Sequence, residues 1–280
     1  MTFLEAAVLG ITQGITEFLP ISSDGHLIMV PALFGWERFG LGFDVVLHAG
    51  TLIATIAYFR HDLVSIIKAV FSRAEDRAPE RRLGWFVAAA TVPSVIVALS
   101  AEPLVDSVED LGMTAQVGIT AIFLLVTAAL LAGSELLGKR VAARAGGQLG
   151  VHDLPLWKAL VIGFAQGFAV APGLSRSGTT IATGLALGMD REQSARFSFL
   201  LSVPIVFAAL SKKILLDVVL GDAVLPPLPV TLVGVLVTTL VGYGAISFLL
   251  PFVRKHSLTW FAAYTAVLGA GILVAQAVNG

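Results

Sequence analysis

The sequence contains no cysteine and little charge, and both absences narrow the class of protein to which it can belong. Without cysteine there are no disulfide bonds, no thiolate metal sites and no cysteine nucleophile. Only 13% of the 280 residues are charged, whereas soluble domains carry about 25%. The net charge of −1 provides no field that attracts polyanions. A disulfide scaffold, a nucleic-acid-binding domain, a disordered chain and almost any soluble enzyme are therefore excluded.

What the sequence has in abundance is hydrophobic residues, which make up 56% of the chain and occur in long stretches. A helix needs about 20 apolar residues to cross a bilayer. Six stretches meet this condition and predict transmembrane helices at 43–59, 83–101, 113–133, 197–216, 228–250 and 258–278. The predicted fold class is therefore an all-α integral membrane protein.

The basic residues predict the orientation of these spans. Fourteen of the 18 Lys and Arg residues fall within 60–82, 139–158, 191–196 and 254–255, whereas 102–112 and 217–227 contain none. Because cytoplasmic loops carry the excess of positive charge, the basic stretches are predicted to be cytoplasmic. Lys212 and Lys213 then lie near the outer end of the fourth span. Glu135, Lys139 and Arg140 are expected to form a solvated helix end.

Two further apolar regions, 3–36 and 156–190, are interrupted by proline, glycine, serine and charge. The predicted orientation requires each region to enter and leave on one side, the first from outside and the second from the cytoplasm. Non-helical backbone at membrane depth is tolerated only where protein or a water-filled cavity satisfies it. We therefore predict two re-entrant helical hairpins whose tips meet inside the bundle.

An internal repeat supports this arrangement. A shift of 153 residues places 7–28 on 160–181 with seven identities, among them the glutamines Gln13 and Gln166. Similar units that enter from opposite sides form an inverted-topology repeat, which places the functional site near the midplane. We therefore predict a single membrane domain over 1–280, with one repeat at about 1–135 and the other at about 154–280.

The first hairpin tip concentrates groups that are costly in a bilayer. Gln13 and Glu17 are spaced i, i+4 and so project from one helical face. Ser22, Ser23 and His26 follow within ten residues of Glu17. The alternative to a functional cluster is that Glu17 faces interfacial water and His26 is a satisfied core histidine.

The second tip is built around Arg176, the only basic residue deep in an apolar stretch. A helix N-terminus with free N–H groups binds anions, and the planar guanidinium matches phosphate oxygens. The alternative is that Arg176 only neutralises Glu17. Asp44 and His48, on one face of the first span, either extend the site or bond each other. The small residues around Arg176 are Gly173, Ser175, Ser177, Thr179 and Thr180.

Together the two tips predict metal-assisted phosphoryl transfer on a lipid-borne phosphate. They supply a carboxylate, a hydroxyl nucleophile, a histidine and an arginine, which can position and neutralise a transferred phosphoryl group. Glu17 and the amide oxygen of Gln13 could also hold a hard cation that bridges diphosphate oxygens.

Four segments resemble one known family. The motif QGITEFLPISSDGH (13–26) resembles the E/Q-x-x-x-E and PxSSxGH motifs of the undecaprenyl-diphosphate phosphatases, also called bacitracin-resistance proteins. PGLSRSGTT (172–180) resembles their PGxSRSxxT motif, and FDVVLHAGTLIA (43–54) and RFSFLLSVPIV (196–206) are also similar. The resemblance implies hydrolysis of undecaprenyl diphosphate to the monophosphate carrier used in cell-wall synthesis. It also implies a divalent cation, Mg²⁺ or Ca²⁺, and a fold of two inverted repeats.

Carried over by motif, the resemblance implies roles for individual residues. Two departures concern the metal: Gln13 stands where many members have glutamate, and Asp24 where threonine or serine is usual. Asp24 either replaces the lost charge or caps the next helix, so the metal stoichiometry stays open. The implied catalytic residues are Glu17, Ser23, His26 and Arg176, the substrate-binding residues are Ser22, Gly173, Ser175, Ser177 and Thr180, and the metal ligands are Glu17, Gln13 and Asp24.

We expect Ser23 to attack the terminal phosphorus while Glu17 or His26 takes its proton; His26 as the nucleophile is the alternative. The predicted orientation places this chemistry on the extracytoplasmic side of the plasma membrane, and a homodimer is left open. The rival from another class is a polyprenyl-phosphate flippase or secondary transporter, because inverted repeats and broken helices also build transporters.

Overall fold

The computed structural model describes residues 1–36, 40–219 and 226–279, and its described part contains helices and no strand. Short 3₁₀ turns follow α4 and α7, and a π-helix, Ile214–Val219, continues α9. The eleven α-helices of this part are α1 Phe3–Thr16, α2 Ser23–Phe34, α3 Gly40–Tyr58, α4 Arg60–Val70, α5 Ala78–Glu109, α6 Met113–Ala145, α7 Leu156–Gly167, α8 Arg176–Ala186, α9 Arg191–Lys213, α10 Leu228–Lys255 and α11 Thr259–Asn279.

The long helices confirm an all-α membrane protein with several spans. In the described ranges, α5, α6, α9, α10 and α11 are long and apolar enough to cross a membrane. The span predicted at 43–59 corresponds to α3, which bends by 75° into α4. Most of these helices continue beyond the predicted apolar stretches, because a helix does not end where the hydrocarbon does. The count of six spans and the opposite orientation of the two halves stay predictions.

Each region predicted as a re-entrant hairpin consists of two short helices joined by a break. In the first, residues 17–22 separate α1 from α2, and Ser22 has a φ of 70°, in the left-handed region. In the second, residues 168–175 separate α7 from α8, and Gly173 has a φ of 91°. Non-glycine residues rarely adopt a positive φ. Both tips therefore have a specific backbone shape, and each leads into the start of a new helix.

Glycines let both hairpins pack closely on helices of the opposite half of the chain. A Cβ on Gly10 or Gly14 would lie 3.1 or 2.9 Å from backbone atoms of α10. The 153-residue shift matches these glycines with Gly163 and Gly167, which pack equally closely on α5. A Cβ on Gly163 would collide with the Ala90 carbonyl, and one on Gly167 would lie 2.8 Å from a backbone oxygen. The two halves are therefore interlocked, and this brings their tips together.

One predicted surface group lies in the interior instead. The expectation of a solvated helix end is wrong for Glu135, which is 4% exposed, although Lys139 and Arg140 are exposed. Arg191 donates hydrogen bonds of 2.7 and 2.6 Å to the two carboxylate oxygens of Glu135, and the backbone N–H of Leu258 donates a third of 2.8 Å. Glu135 is buried because α6 continues past it while α9 and the start of α11 cover it.

Candidate active site

The first tip places Glu17 and Ser23 on opposite sides of the break between α1 and α2. Glu17 directly follows the last turn of α1, and Ser23 is the first residue of α2. The side chain of Ser22 caps α2 by accepting a hydrogen bond of 3.5 Å from the backbone N–H of Gly25. The carboxylate and the hydroxyl can meet because Ser22 turns the chain through its left-handed conformation.

The second tip presents Arg176 as the first residue of α8. Ser175 caps this helix, accepting a hydrogen bond of 3.0 Å from the N–H of Gly178. The turn before it lies against α6, because a Cβ on Gly173 would collide with the Thr120 backbone. Both tips thus share one design, in which a serine caps a helix that starts at the centre of the protein.

The tips meet at Glu17. Its Oε1 accepts a hydrogen bond of 2.6 Å from Nη2 of Arg176, and the two side chains are 7% and 15% exposed, respectively. Its Oε2 accepts bonds of 2.7 Å from the Ser23 hydroxyl and 3.1 Å from Nε2 of Gln13. The structure therefore brings together four of the residues that the sequence singled out, from segments more than 150 positions apart.

A cavity of about 220 Å³ lies beside this junction. Among the predicted residues, its walls include Glu17, Ser22, Ser23, Asp24, Ser175 and Arg176. Within the described ranges, Nη1 of Arg176 is buried without a hydrogen-bond partner. An unpaired guanidinium nitrogen is costly to bury, and the guanidinium of Arg176 on the cavity wall is suited to bind an anionic oxygen.

Four polar residues of the cavity wall are absent from the site predicted from the sequence: Thr16, His48, Ser94 and Gln166. Nδ1 of His48 lies 2.8 Å from the backbone carbonyl of Asp44, and Nε2 lies 3.7 Å from Oε2 of Glu17. Of the alternatives for His48, its place on the wall favours an extension of the site. The repeat could have identified Gln166, since it matches Gln13, but no sequence signal distinguishes Ser94.

His26 lies on a different face of α2. Its Nδ1 is 2.7 Å from the carbonyl oxygen of Ser22, and its Nε2 is 2.8 Å from the hydroxyl of Tyr264 on α11. Because a carbonyl can only accept, Nδ1 carries the proton and Nε2 accepts from Tyr264. His26 is not among the described residues that line the cavity. The structure therefore places it behind the first tip.

Ser177 and Thr180 also lie behind the cavity wall. The Ser177 hydroxyl donates a bond of 3.2 Å to the carbonyl of Leu19, so it joins the second tip to the first. The Thr180 hydroxyl lies 2.6 Å from that of Ser198 on α9 and bonds the carbonyl of Arg176 at 2.8 Å. These contacts fix the position of Arg176, while substrate binding by the two residues stays a prediction.

The oxygen groups around the cavity include candidate ligands for a divalent cation. Within the described ranges no group of three or more acidic or histidine side chains is close enough to hold a metal alone. However, Glu17 and Asp24 both line the cavity, and Oε1 of Gln13 is buried without a hydrogen-bond partner in the described part. Mg²⁺ usually takes one or two carboxylates and completes its shell with water and phosphate oxygens.

Comparison with known proteins identifies the family of the chain. A family model described as "Bacitracin resistance protein BacA" matches residues 6–271. An undecaprenyl-diphosphatase of Methanosphaera stadtmanae is 41% identical over 96% of this chain and 96% of its own. That of Desulforudis audaxviator is 40% identical over the whole of both chains, and that of Chlorobium phaeobacteroides is 41% identical over 98% of this chain and 96% of its own. The chain therefore belongs to the bacitracin resistance protein BacA family.

Proposed function

We propose that this protein hydrolyses undecaprenyl diphosphate to undecaprenyl monophosphate and phosphate, and so regenerates the lipid carrier for cell-wall synthesis and confers bacitracin resistance. The observation that carries the proposal is the contact of Glu17 with both Ser23 and Arg176 on one cavity wall. A nucleophile and an anion-binding group are thereby both within hydrogen-bond distance of one carboxylate, which can accept the proton. A carrier protein needs the anion-binding group but not the activated hydroxyl.

Arg176 and the two helix starts bind the diphosphate in this proposal. The unpaired Nη1 of Arg176 donates to a phosphate oxygen, and the N-termini of α2 and α8 direct their positive ends towards the same cavity. A phosphate that attracts the guanidinium also draws it from Glu17. The carboxylate then becomes free to accept a proton, so binding of the substrate prepares the base.

The chemistry follows from the hydrogen bond between Ser23 and Glu17. Ser23 Oγ attacks the terminal phosphorus, its proton passes to Glu17, and the bond from that phosphorus to the bridging oxygen breaks, so that undecaprenyl monophosphate leaves. Water then attacks the phosphoserine and releases phosphate. Glu17 is the base favoured here, because both ring nitrogens of His26 are bonded elsewhere.

The proposal includes a divalent cation, Mg²⁺ or Ca²⁺, held by Glu17 and Asp24, with Gln13 as a further candidate ligand. The cation would neutralise charge on the diphosphate oxygens as the phosphoryl group is transferred. Asp24 restores a second carboxylate to a tip in which Gln13 supplies none. The dimeric state of the protein stays a prediction.

A phosphate-release assay on the purified chain in detergent tests the reaction and its cation together. We expect phosphate from undecaprenyl diphosphate, a loss of at least about 100-fold after chelation, and recovery with Mg²⁺ or Ca²⁺. Transport of the lipid phosphate by reconstituted chain that releases no phosphate would instead favour the flippase or transporter. A rate that is unaffected by chelator would contradict the cation alone.

We further propose that the cavity of this multi-pass protein opens to the extracytoplasmic side, as the distribution of basic residues predicts. The absence of cysteine provides a direct test, because Ala98→Cys puts a single thiol on the cavity wall. A charged, membrane-impermeant thiol reagent added outside intact cells should inhibit this variant and leave the cysteine-free parent active. Inhibition only from the cytoplasmic face would reverse the assignment.

A further inference from the structure

The break in the first tip depends on one residue in an unfavourable backbone conformation. Among the residues that the structure describes, Ser22 is the one non-glycine with a positive φ, and its ψ is 105°. A residue in such a sparsely populated conformation persists only where the surrounding structure over-determines it. Because Ser22 is buried, neighbouring side chains rather than water have to provide that constraint.

Two side chains form a continuous link from Ser22 to α11. Nδ1–H of His26 donates a hydrogen bond of 2.7 Å to the Ser22 carbonyl, and the Tyr264 hydroxyl donates one of 2.8 Å to Nε2 of the same ring. The rings of His26 and Tyr264 also stack, with centroids 5.8 Å and planes 9° apart. An imidazole that is bonded at both nitrogens and stacked cannot turn freely, so the Ser22 carbonyl is fixed relative to α11.

The orientation of this carbonyl determines where the Ser23 hydroxyl lies. The peptide unit between Ser22 and Ser23 is planar, so fixing its oxygen also fixes the Cα of Ser23 at the other end of the plane. From that position the hydroxyl of Ser23 reaches Oε2 of Glu17 at 2.7 Å. Rotation of the peptide unit would carry the hydroxyl away from the carboxylate.

The Tyr264 hydroxyl also determines which nitrogen of His26 carries the proton. Because the hydroxyl donates to Nε2, the neutral ring has its proton on Nδ1, where it can bond the Ser22 carbonyl. Without this hydroxyl the proton could move to Nε2, and a nitrogen lone pair would then face the carbonyl oxygen. Stacking alone would not need the hydroxyl, since a phenylalanine stacks in the same way.

The second tip is held by a comparable contact. The carbonyl of Gly173, the residue with the positive φ, accepts a bond of 3.4 Å from the hydroxyl of Thr127 on α6, and the N–H of Ser175 donates one of 3.1 Å to the same hydroxyl. α6 and α11 pack closely, because a Cβ on Gly269 would lie 2.8 Å from the Ala121 carbonyl oxygen. One pair of helices therefore holds the positive-φ residue of each tip.

We propose that Tyr264 is a positioning residue for the reaction: its hydroxyl holds His26, His26 holds the Ser22 carbonyl, and the fixed peptide presents the Ser23 hydroxyl to Glu17. This rests on the proposed function, since it assumes that Ser23 is the nucleophile. Neither Tyr264 nor His26 touches the substrate. Both act on the rate of attack by Ser23 and leave binding of the diphosphate to Arg176.

Tyr264→Phe tests the hydroxyl, because it keeps the ring that stacks on His26. We expect kcat for undecaprenyl diphosphate to fall about fivefold, the effect of one lost hydrogen bond. The KM should change less than about twofold, because Arg176 still binds the diphosphate. The control Tyr243→Phe alters another partly exposed tyrosine, on α10 and outside the described cavity wall, and should change neither constant. An unchanged kcat in Tyr264→Phe, or an equal loss in the control, would overturn the proposal.

Variants of His26 test whether Tyr264 acts through this ring. We expect His26→Ala to lower kcat about 100-fold, because the buried Ser22 carbonyl loses its partner, and adding Tyr264→Phe should lower it no further. His26→Asn places an N–H near the position of Nδ1 and should recover about tenfold, whereas His26→Gln, whose amide lies nearer Nε2, should not. Additive losses in the double variant, or equal losses in the asparagine and glutamine variants, would contradict the positioning role.

Amide hydrogen exchange separates failure of this proposal from failure of the proposed function, since it needs no turnover. In detergent, peptides that cover 19–26 should exchange at least about threefold faster in Tyr264→Phe than in the parent, and at the parent rate in Tyr243→Phe. Faster exchange in a chain that releases no phosphate would support the link from α11 to the tip and refute the function alone. Unchanged exchange in Tyr264→Phe would refute the link even in an active enzyme.

Discussion

Replacing Arg176 with alanine is expected to lower kcat/KM for undecaprenyl diphosphate by about 10³-fold. Removal of one preorganised donor from a site that stabilises transferred charge lowers the rate by about 10²–10³-fold. Arg176 provides two such donors: Nη2, which is bonded to Glu17, and Nη1, which has no partner among the described residues. The loss also leaves Glu17 buried without its ion pair, so some of the effect will appear as reduced stability. Phosphate release and thermal unfolding should be measured on the same preparation.

Arg176→Lys separates charge from geometry. It keeps a cation beside Glu17 but loses the planar fork, so we expect normal stability with kcat/KM still reduced by at least about 100-fold. The matched control is Arg196→Ala, which breaks an ion pair of 2.6 Å with Asp62 away from the cavity wall. This control should retain activity within about threefold. Wild-type activity in Arg176→Lys would mean that the site needs only a positive charge there.

The sequence predicted the convergence of the two tips because the signals involved are local and strong. A carboxylate, serines and an arginine at helix breaks inside apolar stretches are too costly to be left facing lipid. The repeat then required both breaks to lie at similar depth. The contact of 2.6 Å between Glu17 and Arg176 is the outcome.

What the sequence could not predict depends on the rotation of helices. His26 is three residues from Ser23, yet the direction of α2 turns it towards Tyr264 of α11, and no local pattern encodes that partner. His48 joins the cavity only because α3 packs beside the first tip. Glu135 is buried because α11 starts against it. Each of these outcomes is set by tertiary contacts between segments more than 30 residues apart.

Replacing Ser23 with alanine is expected to lower kcat by at least about 10³-fold, because loss of a nucleophile removes the covalent route. Its hydroxyl is the one bonded to Glu17, at 2.7 Å, whereas His26 has both ring nitrogens bonded to Ser22 and Tyr264. Turnover of substrate labelled at the terminal phosphorus, quenched in acid, should therefore trap label on Ser23. A phosphoserine survives the acid, whereas a phosphohistidine does not.

The control for this prediction is Ser134→Ala, which removes another buried hydroxyl. Among the described contacts, this hydroxyl bonds only the Leu131 carbonyl of its own helix. It should keep its activity within about twofold and should trap the same label. If Ser23→Ala, quenched in alkali instead of acid, still trapped label, and acid then released that label, the nucleophile would be a histidine. The first tip would then have to rotate before the reaction, since His26 would need to exchange Tyr264 for the substrate.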